Sequence, residues 1–284
     1  MSKVLELYGH STQPVEALDW KAFVASQTCP YLDRKCLKVR KSNPDQTIGT
    51  CSVRHGEQAV IICPYRLLER RQIFADCIHL LTLHEPGNQL HIVPEVTVPG
   101  GSVDYFLVSA RNKKVRDFAG IELQALDTTG TIWPERQRFL KQHGVRVKTR
   151  DLSRGKGFGM NWKMTAKTIL IQLHHKVETF EGINKHLILV IQDSFLEYMR
   201  KGFRFDHLNH ARIGDPMHIH TYGFTQAVAG VFQLELASRY STDSNGIAKS
   251  LGLQASPKVE LEQIIRTLET KISDATLFDP LTNI

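Results

Sequence analysis

Residues 102–124, SVDYFLVSARNKKVRDFAGIELQ, contain two apolar segments joined by a basic turn. Their alternating side chains predict two β-strands that pair as a hairpin. Three polar side chains, Asp104, Glu122 and Gln124, interrupt the otherwise apolar segments. An unpaired carboxylate in a sheet interior costs free energy, so a burial pattern alone does not explain them. The sequence therefore predicts a cation beside these three side chains.

The spacing of the three residues predicts that they meet. Glu122 and Gln124 are two positions apart on one strand, so their side chains point to the same face. Asp104 precedes Glu122 by 18 residues, a hairpin's length, so both acids can face one pocket if the strands pair. Two convergent carboxylates offer the oxygen ligands that Mg²⁺ prefers. Such an ion can activate water and offset negative charge on a phosphate.

We predict that Asp104 and Glu122 are the Mg²⁺ ligands. Gln124 would orient the water or the phosphate, and Glu95, one strand earlier, would hold the water shell of the ion or a second ion. The alternative is that the two acids form exposed ion pairs, which contribute little. The cations available for such pairs are Arg111, Lys113, Lys114 and Arg116.

Neighbouring segments predict a mixed α/β fold. Residues 90–98 alternate as a strand before the hairpin, and residues 186–191 form a solid apolar run typical of a buried strand. Apolar residues recur at helical spacing over residues 67–83 and from residue 162 to residue 177. Together these segments predict a mixed sheet flanked by helices.

Three further features complete the prediction along the chain. Residues 134–160 are polar and basic and predict a long irregular segment. Residues 256–272 read as an amphipathic helix that begins with Ser256 as N-cap and Pro257 in the first turn. His218 and His220 could ligate a metal, although such pairs are more often ordinary surface or core residues.

Composition indicates a cytoplasmic protein with a polyanionic partner. The chain has 284 residues, 42% of them hydrophobic, and a net charge of +7, which favours binding to polyanions. Five cysteines, an odd number, argue against a disulfide framework. No signal peptide or membrane-spanning stretch is evident, so we expect a cytoplasmic location and no membrane partner.

Four cysteines, by contrast, predict a metal site near the N-terminus. Cys29, Cys36, Cys51 and Cys63 follow the pattern C-x6-C-x14-C-x11-C in a short polar segment, and Cys-Pro-Tyr occurs twice. Four thiolates around one tetrahedral ion suit zinc or iron, and such an ion would be structural. The alternative is a set of unrelated reduced thiols. Cys77 lies on an apolar face and is predicted to be a core residue.

The acidic motif resembles the active site of the PD-(D/E)XK nucleases. Val103-Asp104 stands where that family has Pro-Asp, and Gln124 replaces its usual lysine. Together with the upstream cysteines, residues 29–195 resemble the NotI-type Type II restriction endonucleases. The resemblance implies a PD-(D/E)XK restriction-endonuclease-like core with an N-terminal four-Cys module that holds iron. It also implies a catalytic set formed by Glu95, Asp104, Glu122 and Gln124.

A basic segment is the predicted contact to DNA. Glycines near residue 157 would let backbone amides approach a phosphate closely, and a helix follows. A solvated loop without a partner is the alternative. The predicted DNA-binding residues are Arg146, Lys148, Arg150, Arg154 and Lys156.

These features predict a Type II restriction endonuclease of a restriction–modification system. It would hydrolyse double-stranded DNA with Mg²⁺, at a target that the resemblance implies is a GC-rich palindrome, and it would act as a homodimer because the site is symmetric. One alternative is a repair or mobile-element nuclease with the same core. Another is a non-catalytic DNA-binding protein that a metal holds together.

We expect three parts that form one compact unit. Residues 1–66 would hold the four-Cys module, and residues 67–200 the nuclease core with the basic loop. Residues 201–284 would form an extension for DNA recognition or dimerisation.

Overall fold

The computed structural model describes residues 2–14, 17–153, 157–227 and 230–252. Within these ranges the protein has a mixed α/β fold with six α-helices. The helix predicted over residues 256–272 lies outside the described residues, and so do Arg154 and Lys156. None of the described helices is long and apolar enough to cross a membrane.

The N-terminal part is built from short strands around the cysteines. Its elements are β1 (Val4–Leu7), β2 (His10–Ser11), α1 (Trp20–Ser26), β3 (Thr28–Cys29), β4 (Arg34–Lys35), β5 (Val39–Arg40), β6 (Asn43–Thr47), β7 (Thr50–His55) and β8 (Gln58–Ile61). An antiparallel sheet forms in the order β2-β1-β7-β8, while β3 pairs with β4 and β5 pairs with β6. Asp19 caps α1 by accepting hydrogen bonds from the amides of Lys21 and Ala22.

The next segment corrects one prediction. A single helix over residues 67–83 is wrong, because the chain forms a 3-10 segment (Pro64–Arg71), the short helix α2 (Gln72–Ala75) and a 3-10 turn (Ile78–Leu80). Arg70 and Arg71 adopt left-handed φ values of 51° and 54°, which interrupt any continuous helix. Apolar spacing revealed the buried face of this segment but not the break. Cys77 is fully buried in the core, as predicted.

A seven-stranded mixed sheet forms the centre of the protein. Its elements and those around it are β9 (Gln89–Val98), β10 (Gly101–Arg111), β11 (Lys114–Gln124), β12 (Thr128–Thr129), α3 (Trp133–Gln142), a 3-10 turn (Thr149–Leu152), β13 (Gly159–Met160), α4 (Trp162–Gly182), β14 (His186–Gln192), α5 (Asp193–Gly202), β15 (Asn209–His210), β16 (Met217–Gln226), β17 (Phe232–Thr242) and α6 (Ser244–Leu251). The strand order is β15-β17-β16-β14-β11-β10-β9. β14 is parallel to both β11 and β16, whereas the other neighbours are antiparallel.

Alternation along the strands divides the core between two faces of this sheet. Leu187, Leu189 and Ile191 of β14 pack in the cluster that contains the apolar stripe of α4. Ile188 and Val190 point the other way and pack with residues of the segment 64–81. The buried strand and the helix from residue 162 are thus confirmed, and the central sheet is covered on both faces.

Two regions differ from the sequence prediction. Residues 134–142 are helical, so the irregular segment predicted over residues 134–160 is wrong in its first third. Strands β16 and β17 join the central sheet although the apolar pattern weakens beyond residue 200. The division into residues 1–66, 67–200 and 201–284 stays a prediction, and the sheet takes strands from both sides of residue 200.

Two fully buried histidines lie on β16, on the face that packs against the segment 64–81. His218 donates from Nε2 to the carbonyl of Asp215 at 2.9 Å, and His220 Nδ1 lies 3.7 Å from the thiol of Cys77. Burial, with smaller contributions from neighbouring histidines, lowers the pKa of His218 to about 4 and that of His220 to about 3. Both rings are therefore neutral core groups at physiological pH. Among the described residues they belong to no group of three metal-ligating side chains.

The neutral histidines should weaken the fold in acid. Below a pH of about 6.5 the unfolded chain binds protons that the folded protein does not, so stability falls as pH falls towards the folded pKa. Replacing His218 by Gln removes this group. Between pH 7 and pH 5 the wild type should lose about 2 kcal/mol more than His218→Gln, measured by urea unfolding at each pH.

Exposed His55 provides the control for this comparison. His55→Gln should follow the wild-type curve, because the side chain of His55 is exposed and removing it leaves the core unchanged. Parallel pH curves for the wild type and His218→Gln would contradict the neutral, buried state of His218.

Candidate active site

Asp104 and Glu122 occupy facing positions on β10 and β11. Tyr105 pairs with Ile121 in this antiparallel ladder, so the next positions outward are Asp104 and Glu122. The amide of Leu123 donates to Asp104 Oδ2 at 2.8 Å, which joins the two strands beside the acids. Because side chains on facing positions share a face of the sheet, both carboxylates point to the side covered by α4.

A lysine of α4 completes this pair of acids. Lys176 Nζ lies 2.6 Å from Glu122 Oε1 and donates to the carbonyl of Ser102 at 2.5 Å. Lys176 and Glu122 are both buried, at 5% exposed each. Sequence analysis missed this residue. The available signal was a lysine on the apolar stripe of α4, one position before buried Val177.

Burial sets the acidity of the two carboxylates. It raises the pKa of Glu122 to about 7, against the opposing hydrogen bond from Lys176, and the negative charge of Asp104 adds to the rise. Burial also raises the pKa of Asp104, although the Leu123 amide and Lys176 act in the opposite direction. The two acids therefore share one electrostatic site, in which a proton and a cation compete for the same oxygens.

Gln124 and Glu95 lie at the margin of this pair. Half-buried Gln124 donates from Nε2 to the carbonyl of Ala125 at 2.5 Å. Glu95 is exposed on the edge strand β9, between Pro94 and Val96, which pair with Tyr105 and Val103. Its φ of 49° is a left-handed value that is uncommon for a residue other than glycine.

The charge of Glu95 acts on Asp104, but Glu95, Asp104 and Glu122 do not form a cluster of three metal-ligating side chains. The charge of Glu95 raises the pKa of Asp104. Within the described part of the chain, no three His, Cys, Asp or Glu side chains are arranged to hold a metal ion. The structure thus brings Asp104 and Glu122 together and leaves Glu95 beside them.

The four predicted cysteine ligands are all buried and free, in one region of the N-terminal part. Burial raises the pKa of Cys51, and the neighbouring Cys63 adds to that rise. Burial also raises the pKa of Cys63 to about 11, with smaller contributions from Cys36 and Cys29. The thiols are near enough to interact electrostatically. However, within the described part of the chain, the four thiols are not arranged with the geometry of metal ligands.

Backbone amides point at three of these thiols. Tyr31 and Leu32 donate to Cys29, Tyr65 donates to Cys63, and the amide of Gly9 donates to Cys51, each of which favours the thiolate. In both Cys-Pro-Tyr segments the tyrosine amide donates to the cysteine two positions earlier. The repeated tripeptide therefore builds the same local turn around two different sulfurs.

The predicted DNA-binding residues lie partly along a polar cavity. Exposed Lys148 and Arg150 line a cavity of about 470 Å³ together with residues of the β5–β6 hairpin, which sequence analysis did not select. One of these, Arg40, pairs with Asp151 at 3.1 Å and stacks on Trp133 at 4.6 Å. The hairpin residues of the cavity are Arg40, Ser42, Asn43 and Gln46. Arg146 is exposed on the same segment.

Comparison with known proteins identifies the family. A protein-family model described as "Restriction endonuclease NotI" matches residues 24–217 of the 284. None of the curated proteins compared with the chain matches it. The matched span is more than half of the chain and contains the carboxylate pair, Lys176, all four cysteines and the basic segment. The chain therefore belongs to the NotI restriction endonuclease family, and so to the Type II site-specific deoxyribonucleases.

Proposed function

We propose that this enzyme hydrolyses duplex DNA with Mg²⁺ held between Asp104 and Glu122, on a core of the PD-(D/E)XK type. The facing positions of these two acids on β10 and β11 carry the proposal. Asp104 accepts at Oδ2 and Glu122 at Oε1, and among the described residues no hydrogen bond engages the second oxygen of either. Carboxylate oxygens suit Mg²⁺, which would activate water and offset the charge of the phosphate.

Side chains around the pair have separate tasks in this proposal. The side-chain amide nitrogen of Gln124 donates to the carbonyl of Ala125, so the side-chain carbonyl oxygen can accept a hydrogen bond from the attacking water and orient it. Glu95, at the exposed margin, would hold the water shell of the ion. Hydrolysis adds water across one P–O bond of each strand, so every cut leaves one phosphate monoester and one hydroxyl end.

The four thiols are proposed to hold iron, with zinc as the other candidate. Four protein ligands leave no open position for substrate, so the ion would be structural. A divalent ion with four thiolates carries a net charge of about −2, and the cations near the sulfurs fit that charge. Burial raises the pKa of Cys63 and Cys29 and lowers that of Arg136, and in each case a neighbouring charge acts against burial: Lys38 at Cys63, Arg34 at Cys29 and Cys36 at Arg136.

DNA contacts are assigned to the basic segment. Arg146, Lys148 and Arg150 are exposed cations that can neutralise phosphates, and Arg154 and Lys156 continue the same segment in the sequence. We propose a GC-rich palindrome as the target, as the resemblance to the family implies, and arginine or lysine side chains that pair with guanine O6 and N7 would read it. A symmetric target favours a homodimer with one active site for each strand. The enzyme would act in the cytoplasm, where its DNA substrate is found.

The carboxylate pair is tested by digestion of a large DNA of known sequence. Protein with Mg²⁺ should yield discrete fragments, and end mapping should return one palindrome. Asp104→Asn and Glu122→Gln should lower the cleavage rate at least about 1,000-fold, since each removes a charged ligand. Glu178→Gln, on the exposed face of α4, is the matched control and should cut like the wild type. Intact DNA would support a binding protein without catalysis, and a smear would support a less specific nuclease.

The thiol site is tested by elemental analysis of the purified protein. We expect about one iron or zinc per chain. Cys29→Ser should lose most of that metal and melt at a lower temperature, because bound metal contributes directly to folding. Cys77→Ala, a change at a buried cysteine of the core, should keep the metal. A metal-free wild type, or equal losses in both variants, would contradict the site.

The basic segment is tested by the salt dependence of DNA binding. In the cleavage-deficient Asp104→Asn background, Lys148→Ala and Arg150→Ala should each weaken binding. Each should also reduce the slope of log affinity against log salt by about 1, because one phosphate contact is lost. Lys114→Ala, at the far end of the β10–β11 hairpin, should leave the slope unchanged. An unchanged slope in the first two variants would remove the segment from the DNA interface.

A further inference from the structure

Lys176 sits where the apolar stripe of α4 meets the carboxylate pair. Its neighbours Leu173 and Val177 are fully buried, and Lys176 itself is 5% exposed. A lysine in such a position packs its alkyl chain along the core and must place its ammonium group on a polar partner. That partner is the carboxylate of Glu122, at 2.6 Å.

The ammonium group joins the two strands that carry the acids. It contacts Glu122 on β11 and the carbonyl of Ser102 on β10, two positions before Asp104. The positive charge of Lys176 also acts against the burial that raises the pKa of Asp104. Among the described residues, no other cation forms an ion pair with either acid. One side chain therefore offsets one of the two negative charges of the pair and connects its strands.

The turn between β9 and β10 is shaped to admit this helix. A Cβ atom on Gly100 would lie 2.7 Å from the carbonyl oxygen of His175, and Gly100 has a φ of 93°. At Gly101, with a φ of 133°, a Cβ would lie 3.2 Å from Cε of Lys176. Both glycines thus serve the close approach of α4. The site is built around the lysine from two directions, the turn and the strands.

We propose that Lys176 is a positioning residue for DNA cleavage: it fixes the carboxylate of Glu122 opposite Asp104 and supplies the positive charge of the site from α4. Gln124, on the same strand as Glu122, carries no charge and cannot supply it. This inference rests on the proposed role of the carboxylate pair. It adds a residue that lies 54 positions from Glu122 in the sequence.

The test compares Lys176→Met, Lys176→Arg and Lys176→Gln with Lys167→Met, an exposed lysine on the same helix. Cleavage is measured against DNA concentration, and binding of Ca²⁺ to the full-length protein without DNA is measured by calorimetry. Lys176→Met should lower kcat at least about 100-fold with KM for DNA within about twofold of wild type. It should also weaken Ca²⁺ binding at least about fivefold, since the carboxylate of Glu122 is no longer held. Lys167→Met should match the wild type in every readout.

Arginine keeps the positive charge, so Lys176→Arg should cut at least about tenfold faster than Lys176→Gln. If Lys176→Met does not fold, the comparison of Lys176→Arg with Lys176→Gln tests the proposal, because both side chains can still donate to the carboxylate of Glu122. Equal cleavage rates of these two variants would overturn the proposal. Unchanged cleavage by Lys176→Met overturns it as well. A lowered kcat with unchanged or tighter Ca²⁺ binding would also overturn it, because the lysine would then not act through Glu122. A fully active Lys176→Met beside an active wild type refutes this inference alone, whereas a wild type that cuts no DNA refutes the proposed function.

Discussion

The register between β10 and β11 is the constraint on which the proposed active site depends. A two-residue turn at Asn112 and Lys113, both with positive φ, joins the strands. Next to it the register shifts between Ser109 and Ala110, so that Ser109 pairs with Asp117. Without this one-residue bulge, Asp104 would face Ile121 rather than Glu122. Glu122 would then be paired out of step with Asp104, because a slip of one residue exchanges the faces of a strand.

A buried acid holds the bulge in place. Asp117 accepts hydrogen bonds from the amides of Leu83 and Phe118 and pairs with Lys185 at 2.6 Å. Leu83 follows the segment 64–81 and Lys185 lies just before β14, so Asp117 connects the bulge to both of these parts of the chain. Ion pairs of this kind are weak contributors to net stability, because desolvation offsets attraction. In this chain, the pair lies directly beside the bulge that places Glu122 opposite Asp104.

Much of this arrangement could be predicted from the sequence, because strand alternation is a local signal. The hairpin, β14 and α4 follow from apolar periods of 2 and 3.6, and the same periods place Glu122 and Gln124 on one face. Other features depend on distant contacts. Arg136 looks like a surface residue of an irregular segment, yet it is 1% exposed and donates to the carbonyl of Ile48. On β16, the buried residues His218 and His220 are polar and interrupt the apolar pattern, so the sequence did not predict this strand.

The two clusters of ionisable groups obtain their charge balance in different ways. At the carboxylates the protein itself supplies the cation, through Lys176, and burial still raises the pKa of Glu122 to about 7. At the thiols burial raises the pKa of Cys63 to about 11, so this thiol is protonated at neutral pH. Any metal there must displace protons, which makes occupancy depend on pH. Backbone amides and the cations Arg34 and Lys38 reduce that cost by favouring the thiolates.

Buried Arg136 forms no ion pair with a described carboxylate. Burial lowers its pKa, and the charge of Cys36 acts in the opposite direction. An anionic metal–thiolate centre at Cys36 would therefore supply a negative counter-charge for this buried guanidinium group.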